Sequence, residues 1–453
     1  MIEHFPIEVH SVSELLSDIF VWLLFELMIW AAVLLSSERR WPLLAAALTR
    51  LEHGFNSLAR HRVRVVAAIF VLVFAGRLAL LPIVPVPPPR ITDEFSQQLA
   101  ADTFACGRVT NPTHPMSFYF ETFYVNQKPS YHSMYPPATG LFMAAAQVLT
   151  GQSWYGMLFT IAAAAAAICW MLQGWVAPRW ALWGAMLFVL LVAKNRMTEF
   201  YFGEGIVILG GALVLGAMPR IIKRHSVGAS FCLGIGLALL AASRPYEGCL
   251  LAAGLCLGAS VWAWKSGMRW PMLLRKVALP VAVILVPVFM WVAYLNWRTT
   301  GSPWLPPYEL NLVQQHITRP LVWQKPVEPP HYDHPVMAAH YEQWEWNWWK
   351  STQGFPRGVA RFLADKGYAM YAWVLWPLAL VTGVGSYQLL KSGIRRFLPL
   401  ALFAFLAGLS IETYQLQGRY VATAWGLFLL LAVYGARYIG TWKRSTRQGS
   451  RIA

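Results

Sequence analysis

The sequence predicts an all-α polytopic membrane protein. Of its 453 residues, 57% are hydrophobic and only 13% charged, where a soluble chain carries roughly a quarter charged residues. Its apolar residues fall in blocks, several of them near the ~20 residues that cross a bilayer core. Its basic residues collect in short loops between those blocks, as they do on the inner side of a membrane.

The blocks lie at 16–36, 64–86, 138–150, 154–176, 180–194, 205–218, 228–243, 249–264, 277–296, 369–390, 395–410 and 420–440. The start, MIEHFPIEVHSVSELLSD, is acidic and lacks the basic region of a secretory signal, so the first block reads as a retained helix. Arg39, Arg40, Arg50, Arg60 and Arg62 put segment 37–63 inside, as do PRIIKRHS at 219–226, the basic loop 265–276, KSGIRR at 391–396 and the tail. An even number of crossings must then separate residue 63 from residue 219, yet five blocks lie between them. The block 138–150, short and preceded by Pro136 and Pro137, is the one that fits a surface or re-entrant helix. Without it the chain has about 11 transmembrane helices, an outside N-terminus and an inside C-terminus.

This topology divides the chain into four parts. Residues 1–63 form an extra helix and a basic inner segment, and 64–296 form a helical core with an outer loop at 87–153. A long outer loop follows at 297–368, and 369–453 hold the last helices and the basic tail. The Gly-rich runs 203–216 and 228–243, with the alanines at 162–167, read as close helix packing through small residues. Glu26 and Arg77 each lie ~14 Å inside the outer ends of their blocks; buried charges pair, so an ion pair between them is expected.

The net charge of +16 does not indicate nucleic acid, because topology accounts for it and no recognition motif accompanies it. Cys106, Cys169, Cys232, Cys249 and Cys256 show no CxxC or zinc spacing.

Five polar stretches meet on the outer face: 87–153, 195–204, 243–248, 297–368 and 411–420. The first, from Arg90 to Pro137, is the densest in ionisable residues and is taken as the catalytic loop. Asp93 is suited to act as a general base on an acceptor hydroxyl, with Glu94 beside it. The two point about 100° apart on a helix, and the same residues also make good N-terminal capping chemistry. Arg108 and His114 are candidates to touch substrate. In KPSYHSMYPP (128–137), Lys128 and His132 are candidates for a phosphate and Tyr131 and Tyr135 for a sugar. Glu199 and Glu204 could bind substrate or, with a first-loop carboxylate or histidine, a divalent metal. In SRPYEG, Arg244 suits a lipid phosphate or an ion pair near Glu247, with Tyr246 and Glu247 as substrate-binding candidates. Arg419 in QGRY, with Tyr414 and Tyr420, is a comparable phosphate candidate. The HYDHP segment (His331, Asp333, His334) is a weaker metal candidate, and the Trp-rich end of the late loop suits sugar rings or the membrane interface.

These residues resemble the GT-C superfamily of polytopic glycosyltransferases, which includes protein O-mannosyltransferases and the lipid A aminoarabinose transferases. The resemblance rests on the acidic pair Asp93-Glu94 in the first outer loop, the Lys-Pro…Tyr-Pro-Pro approach to the next helix, Glu199 and Glu204 in a second loop, and a long late loop. It covers most of 64–300 by pattern and the last third by layout alone. It implies in-plane helices in the first periplasmic loop and a sugar donor on a polyprenyl phosphate. It further implies inversion at the anomeric carbon, with Asp93 as base and Glu94 in support. The metal requirement varies across the superfamily. The expected function is therefore transfer of a sugar from that donor to a hydroxyl of a glycan, lipid or protein, at the periplasmic face of a bacterial inner membrane. A transporter or flippase of lipid-linked saccharide and a glycan ligase remain alternatives. A transporter needs ionisable residues deep in several spans, whereas most here cluster at one surface.

Overall fold

A computed structural model describes residues 57–354, 356–370, 378–413 and 418–441, together with positions 24, 27 and 54. Glu26 and Tyr414 lie outside the described residues. Among the described residues the fold is mainly helical, and its sheet is a two-stranded hairpin in the first loop, β1 (Val125–Asn126) and β2 (His132–Ser133).

The first helix, α1 (Arg62–Ala79), is shorter than the apolar block 64–86 from which it was read. Pro82, Pro85, Pro87, Pro88 and Pro89 follow it; proline cannot donate to a helix and disfavours the helical conformation of the residue before it. The chain is extended there until α2 (Thr92–Ala105) begins. Next come α3 (Pro137–Thr150), α4 (Trp154–Trp175), α5 (Pro178–Lys194), α6 (Glu204–Arg224), α7 (Val227–Ala241) and α8 (Pro245–Lys265). A 31-residue helix, α9 (Trp270–Thr300), precedes the late loop, whose first helix is α10 (Pro307–Gln315). The series ends with α11 (Arg357–Met370), α12 (Ala379–Leu390), α13 (Gly393–Ser410) and α14 (Gly418–Ile439).

Six of these helices, α4, α6, α8, α9, α13 and α14, are long and apolar enough to cross a bilayer, and the chain is a multi-pass membrane protein. Helix α3 has 14 residues and spans ~21 Å at 1.5 Å per residue, short of a ~30 Å hydrocarbon core. It packs instead against α2, where a side chain at Gly140 would meet Ala100 and Phe104.

The core is the α4–α6–α14 contact, and small residues permit it. Ala162, Ala164 and Ala165 are fully buried on α4. A Cβ at Gly205 of α6 would lie 2.6 Å from the backbone nitrogen of Ile161. Helices α12 and α14 touch backbone to backbone. A Cβ on Gly385 would strike the Leu431 carbonyl, and one on Gly435 would strike that of Val381.

The two outer loops dock on one another. Asn126 donates to the Pro307 carbonyl and accepts from Asn311, each at 2.9 Å, and Ser130 donates to the Thr299 carbonyl. Gln315 donates to the Val125 carbonyl. The late loop has its own small core of Ile317, Met337 and Tyr341, in which Glu345 accepts from the amide and hydroxyl of Thr318 and pairs with His316.

Among the described residues Arg77 pairs with Glu199; the expected partner Glu26 lies outside them. Arg77 Nε and Nη2 each lie 3.1 Å from Glu199 Oε1, and its other donors reach the carbonyls of Val84 and Pro85. Its guanidinium lies 4.8 Å from the centre of the Trp154 ring, whose Nε1 donates to Thr198. One buried cation thus ties the end of α1, the proline run, the start of α4 and the 195–203 turn together.

Truncating one member of a buried ion pair leaves the other charge uncompensated, at a cost of ~3–5 kcal/mol. Arg77→Ala is therefore expected to lower the detergent-solubilised melting temperature more than the Arg77→Ala/Glu199→Ala double variant does. Equal losses in a fluorescence-monitored melt would show that the pair is not what holds the turn.

Candidate active site

Asp93 stands in the first turn of α2 and is 8% exposed. Its Oδ1 receives two contacts: the Tyr135 hydroxyl donates at 2.5 Å, and Arg419 Nη1 lies 3.0 Å away. Among the described residues no contact engages Oδ2. Tyr135 comes from the segment before α3 and Arg419 from the first turn of α14, so three distant stretches meet at one carboxylate. The guanidinium of Arg419 also lies 4.5 Å from the Phe202 ring and 5.7 Å from that of Tyr420. Charge-assisted contacts of this kind fix orientation as well as energy.

Around this centre, the starts of several helices converge. The amide of Ala138 on α3 donates to Ala242 at the end of α7, and the amide of Tyr201 donates to Glu94. Gly203 has φ of +71° immediately before α6, and a Cβ there would collide with Thr139. Only glycine both adopts that backbone freely and fits, and it sets Glu204 at the head of α6. Arg244, just before α8, pairs with Glu247 at 2.8 Å and sits 4.9 Å from the Tyr420 ring. Glu204 is within electrostatic reach of both Arg244 and Arg419. Peptide dipoles at the starts of α2, α6, α8 and α14 add positive potential to that of the arginines. The site thus gathers paired charges, Arg419 with Asp93 and Arg244 with Glu247, around a carboxylate whose orientation is fixed.

Several residues reached this site without a sequence signal. Tyr124 faces Asp93, Arg419 and Tyr420, and burial raises its phenol above the ordinary value, with Asp93 adding to the shift. Burial followed by Asp93 does the same to Tyr135. Both phenols are neutral donors at neutral pH. Tyr308 of α10 faces Tyr420, Glu412, Glu247 and Arg244. Glu412, from the turn after α13, is raised by burial and then by the nearby Glu247. Lys366 of α11 faces Glu412 and is lowered by burial. The stretch IETYQLQGRY was read as part of the outer face, so Glu412 was within reach of a sequence argument; Lys366, inside ADKGYAM, was not.

Other expected site residues hold the scaffold. Glu94 is a cap: one oxygen accepts from the amides of Arg90 and Ile91, the other from that of Tyr201. With its carboxylate on three backbone donors, it is not disposed to act on substrate. Glu199 is taken by Arg77. The Tyr246 hydroxyl donates to Gly408. The Tyr135 hydroxyl donates to Asp93, and the described ionic partner of Arg419 is the same carboxylate. Arg108, His114 and Lys128 are exposed, and Tyr131 is half-buried; none of their described contacts reaches Asp93.

His132 is corrected most clearly. It is buried in the hairpin, Nδ1 donating to the Ser130 carbonyl at 2.9 Å and Nε2 facing the Asn126 amide at 3.1 Å. Burial lowers it to about 4, so it is a neutral imidazole inside the loop joint and cannot greet a phosphate as a cation. The metal reading also fails to fit the residues present. Glu199 is paired, Glu204 faces two arginines, and His334 caps Val336. His331 and Asp333 stand 3.5 Å apart on the surface. Among the described residues no three His, Cys, Asp or Glu cluster as ligands.

No family model, curated protein or solved structure matches the chain.

The His132 shift carries a sign. Its folded value, about 4, lies below the ~6.5 of an unfolded histidine. The stabilisation is thus complete above pH 6.5 and is lost as pH falls towards 4, by at most ~3 kcal/mol. His340 is also lowered to about 4 by burial. His132→Gln is therefore expected to flatten, without abolishing, the loss of melting temperature between pH 7 and pH 4.5. An unchanged slope would mean that His132 takes up its proton before the loops separate.

Proposed function

We propose that the chain is an inverting glycosyltransferase that moves a sugar from a polyprenyl phosphate to an acceptor hydroxyl. The observation that carries this reading is the Asp93 carboxylate, oriented through Oδ1 by Tyr135 and Arg419, with no hydrogen bond to Oδ2 among the described residues and Arg244 on the neighbouring helix start. Inverting transfer asks for a base on one side of the sugar and a cation for the departing phosphate on the other. In the step itself, the acceptor oxygen bonds to the anomeric carbon while its proton passes to Asp93 Oδ2. The bond from that carbon to the phosphate oxygen breaks, and the electron pair leaves with the polyprenyl phosphate. Arg244 is the cation assigned to that leaving group. Arg419 is a positioning residue for the base, and its remaining donors add positive potential nearby.

The reading places the site on the periplasmic side of a bacterial inner membrane and takes the chain as a GT-C-like protein of about 11 spans. What supports that side is the distribution of charge. Asp93, Glu199, Glu204, Glu247 and Glu412 all lie at one end of the bundle, while Arg62, Lys223, Arg224, Lys265, Arg395 and Arg396 lie in segments that the charge rule puts inside. The short α3 supports an in-plane element in the first loop.

The test is transfer by purified protein supplied with polyprenyl-phosphate sugars. Asp93→Asn leaves the buried Arg419 without its counter-charge, so it is expected to lower the melting temperature and, assayed below that temperature, to lose roughly 10²–10⁴-fold in turnover. Arg244→Ala is expected to weaken donor affinity more than it alters turnover at saturation. Normal turnover by Asp93→Asn would remove the assigned base and with it the reaction. Lipid and glycan mass spectrometry of cells lacking the protein would identify donor and acceptor by what accumulates and what disappears.

A further inference from the structure

Helix α11 (Arg357–Met370) has its polarity reversed with respect to a helix that borders water. Its inward face carries Gly358, Asp365 and Lys366, all buried, and Lys366 is only 2% exposed. Its outward face carries Val359, Ala360, Leu363 and Gly367, with Val359 42% and Leu363 56% exposed. At helical spacing these four fall within an arc of about 100°, and none has a polar atom in its side chain. Arg357, Arg361 and Tyr368 line one flank of the stripe. A helix in a water-facing loop places its charges outward and its apolar stripe inward. This one does the opposite, in a protein whose neighbouring helices cross a membrane.

We propose that α11 lies along the membrane surface with Val359, Ala360, Leu363 and Gly367 against phospholipid chains. Its basic flank then sits at the level of the phosphate headgroups, the arrangement expected of an interfacial helix. The helix thereby walls the charged cluster off from lipid. On its other face Lys366 lies within electrostatic reach of Glu412, which in turn is near Glu247 and Arg244. The apolar stripe needs a covering of matching chemistry, the adjoining spans supply a bilayer, and Arg357 and Arg361 complement anionic headgroups. This proposal stands apart from the transferase reading, because it concerns what covers the helix and not which reaction takes place behind it.

The test places a photoreactive benzoylphenylalanine at Leu363 in the full chain. The protein is reconstituted in vesicles of phosphatidylethanolamine and phosphatidylglycerol, and the adducts are read by mass spectrometry. Val283, exposed on the apolar surface of α9, serves as the positive control, and Glu328, exposed in the late loop, as the negative one. Phospholipid adducts at Leu363 approaching the yield at Val283, and several-fold above that at Glu328, are expected. A yield at Leu363 no greater than at Glu328 would overturn the proposal, as would crosslinking of Leu363 to a second copy of the chain. Size-exclusion elution matching the unmodified protein would establish that the labelled chain is folded.

Discussion

The site depends on the buried pairing of Asp93 with Arg419. Each charge would be costly to bury alone, and each makes the other tolerable only at close range and in good geometry. This constraint binds the first outer loop to the last membrane helix, the two ends of the described chain. Tyr135 adds a neutral donor to the same oxygen, so the carboxylate loses its rotational freedom. Much of the remaining architecture serves to bring these stretches together: the Arg77 tie, the cap formed by Glu94, the hairpin docked on α10 and the glycine before Glu204. Catalytic groups held by packed elements and supporting hydrogen bonds are pre-organised for reaction.

The division between Asp93 and Glu94 follows from their positions on α2. Adjacent residues on a helix point in different directions, so one faces the meeting point of the helices and the other turns back to the helix start. Glu94 there reaches the 195–203 turn as well as its own backbone, and joins two loops that the sequence keeps far apart. A carboxylate on three amides is a strong structural element, and it leaves Asp93 as the member of the pair that meets Tyr135 and Arg419.

Much of this was legible in the sequence, and the limits are physical. Hydrophobic blocks and arginine-rich loops gave the membrane class, and the shortness of 138–150 foretold α3 as a helix below spanning length. The convergence of Asp93, Arg244, Glu247 and Arg419 followed from topology alone, since charge placement fixes which ends of the helices lie together. Partners were harder to read. Depth alone brought Arg77 towards Glu26, which lies outside the described residues, and it gave no sign of Glu199, which approaches from a turn whose path the pattern does not reveal. His132 looked like a surface ligand because its neighbours are polar, yet those polar groups are the joint between two loops. Lys366 was invisible because its partner lies on a segment that follows two further helices.

The close contact of α12 and α14 has a consequence at the opposite end of the helix. Gly385 and Gly435 bring the two backbones together with no room for a side chain, which fixes how α14 is rotated about its axis. Arg419 lies sixteen positions earlier on the same helix, ~24 Å away by the rise per residue. A bulky substituent at the glycine end would therefore act as a twist on a rod, swinging the guanidinium off its carboxylate from most of a bilayer's thickness away.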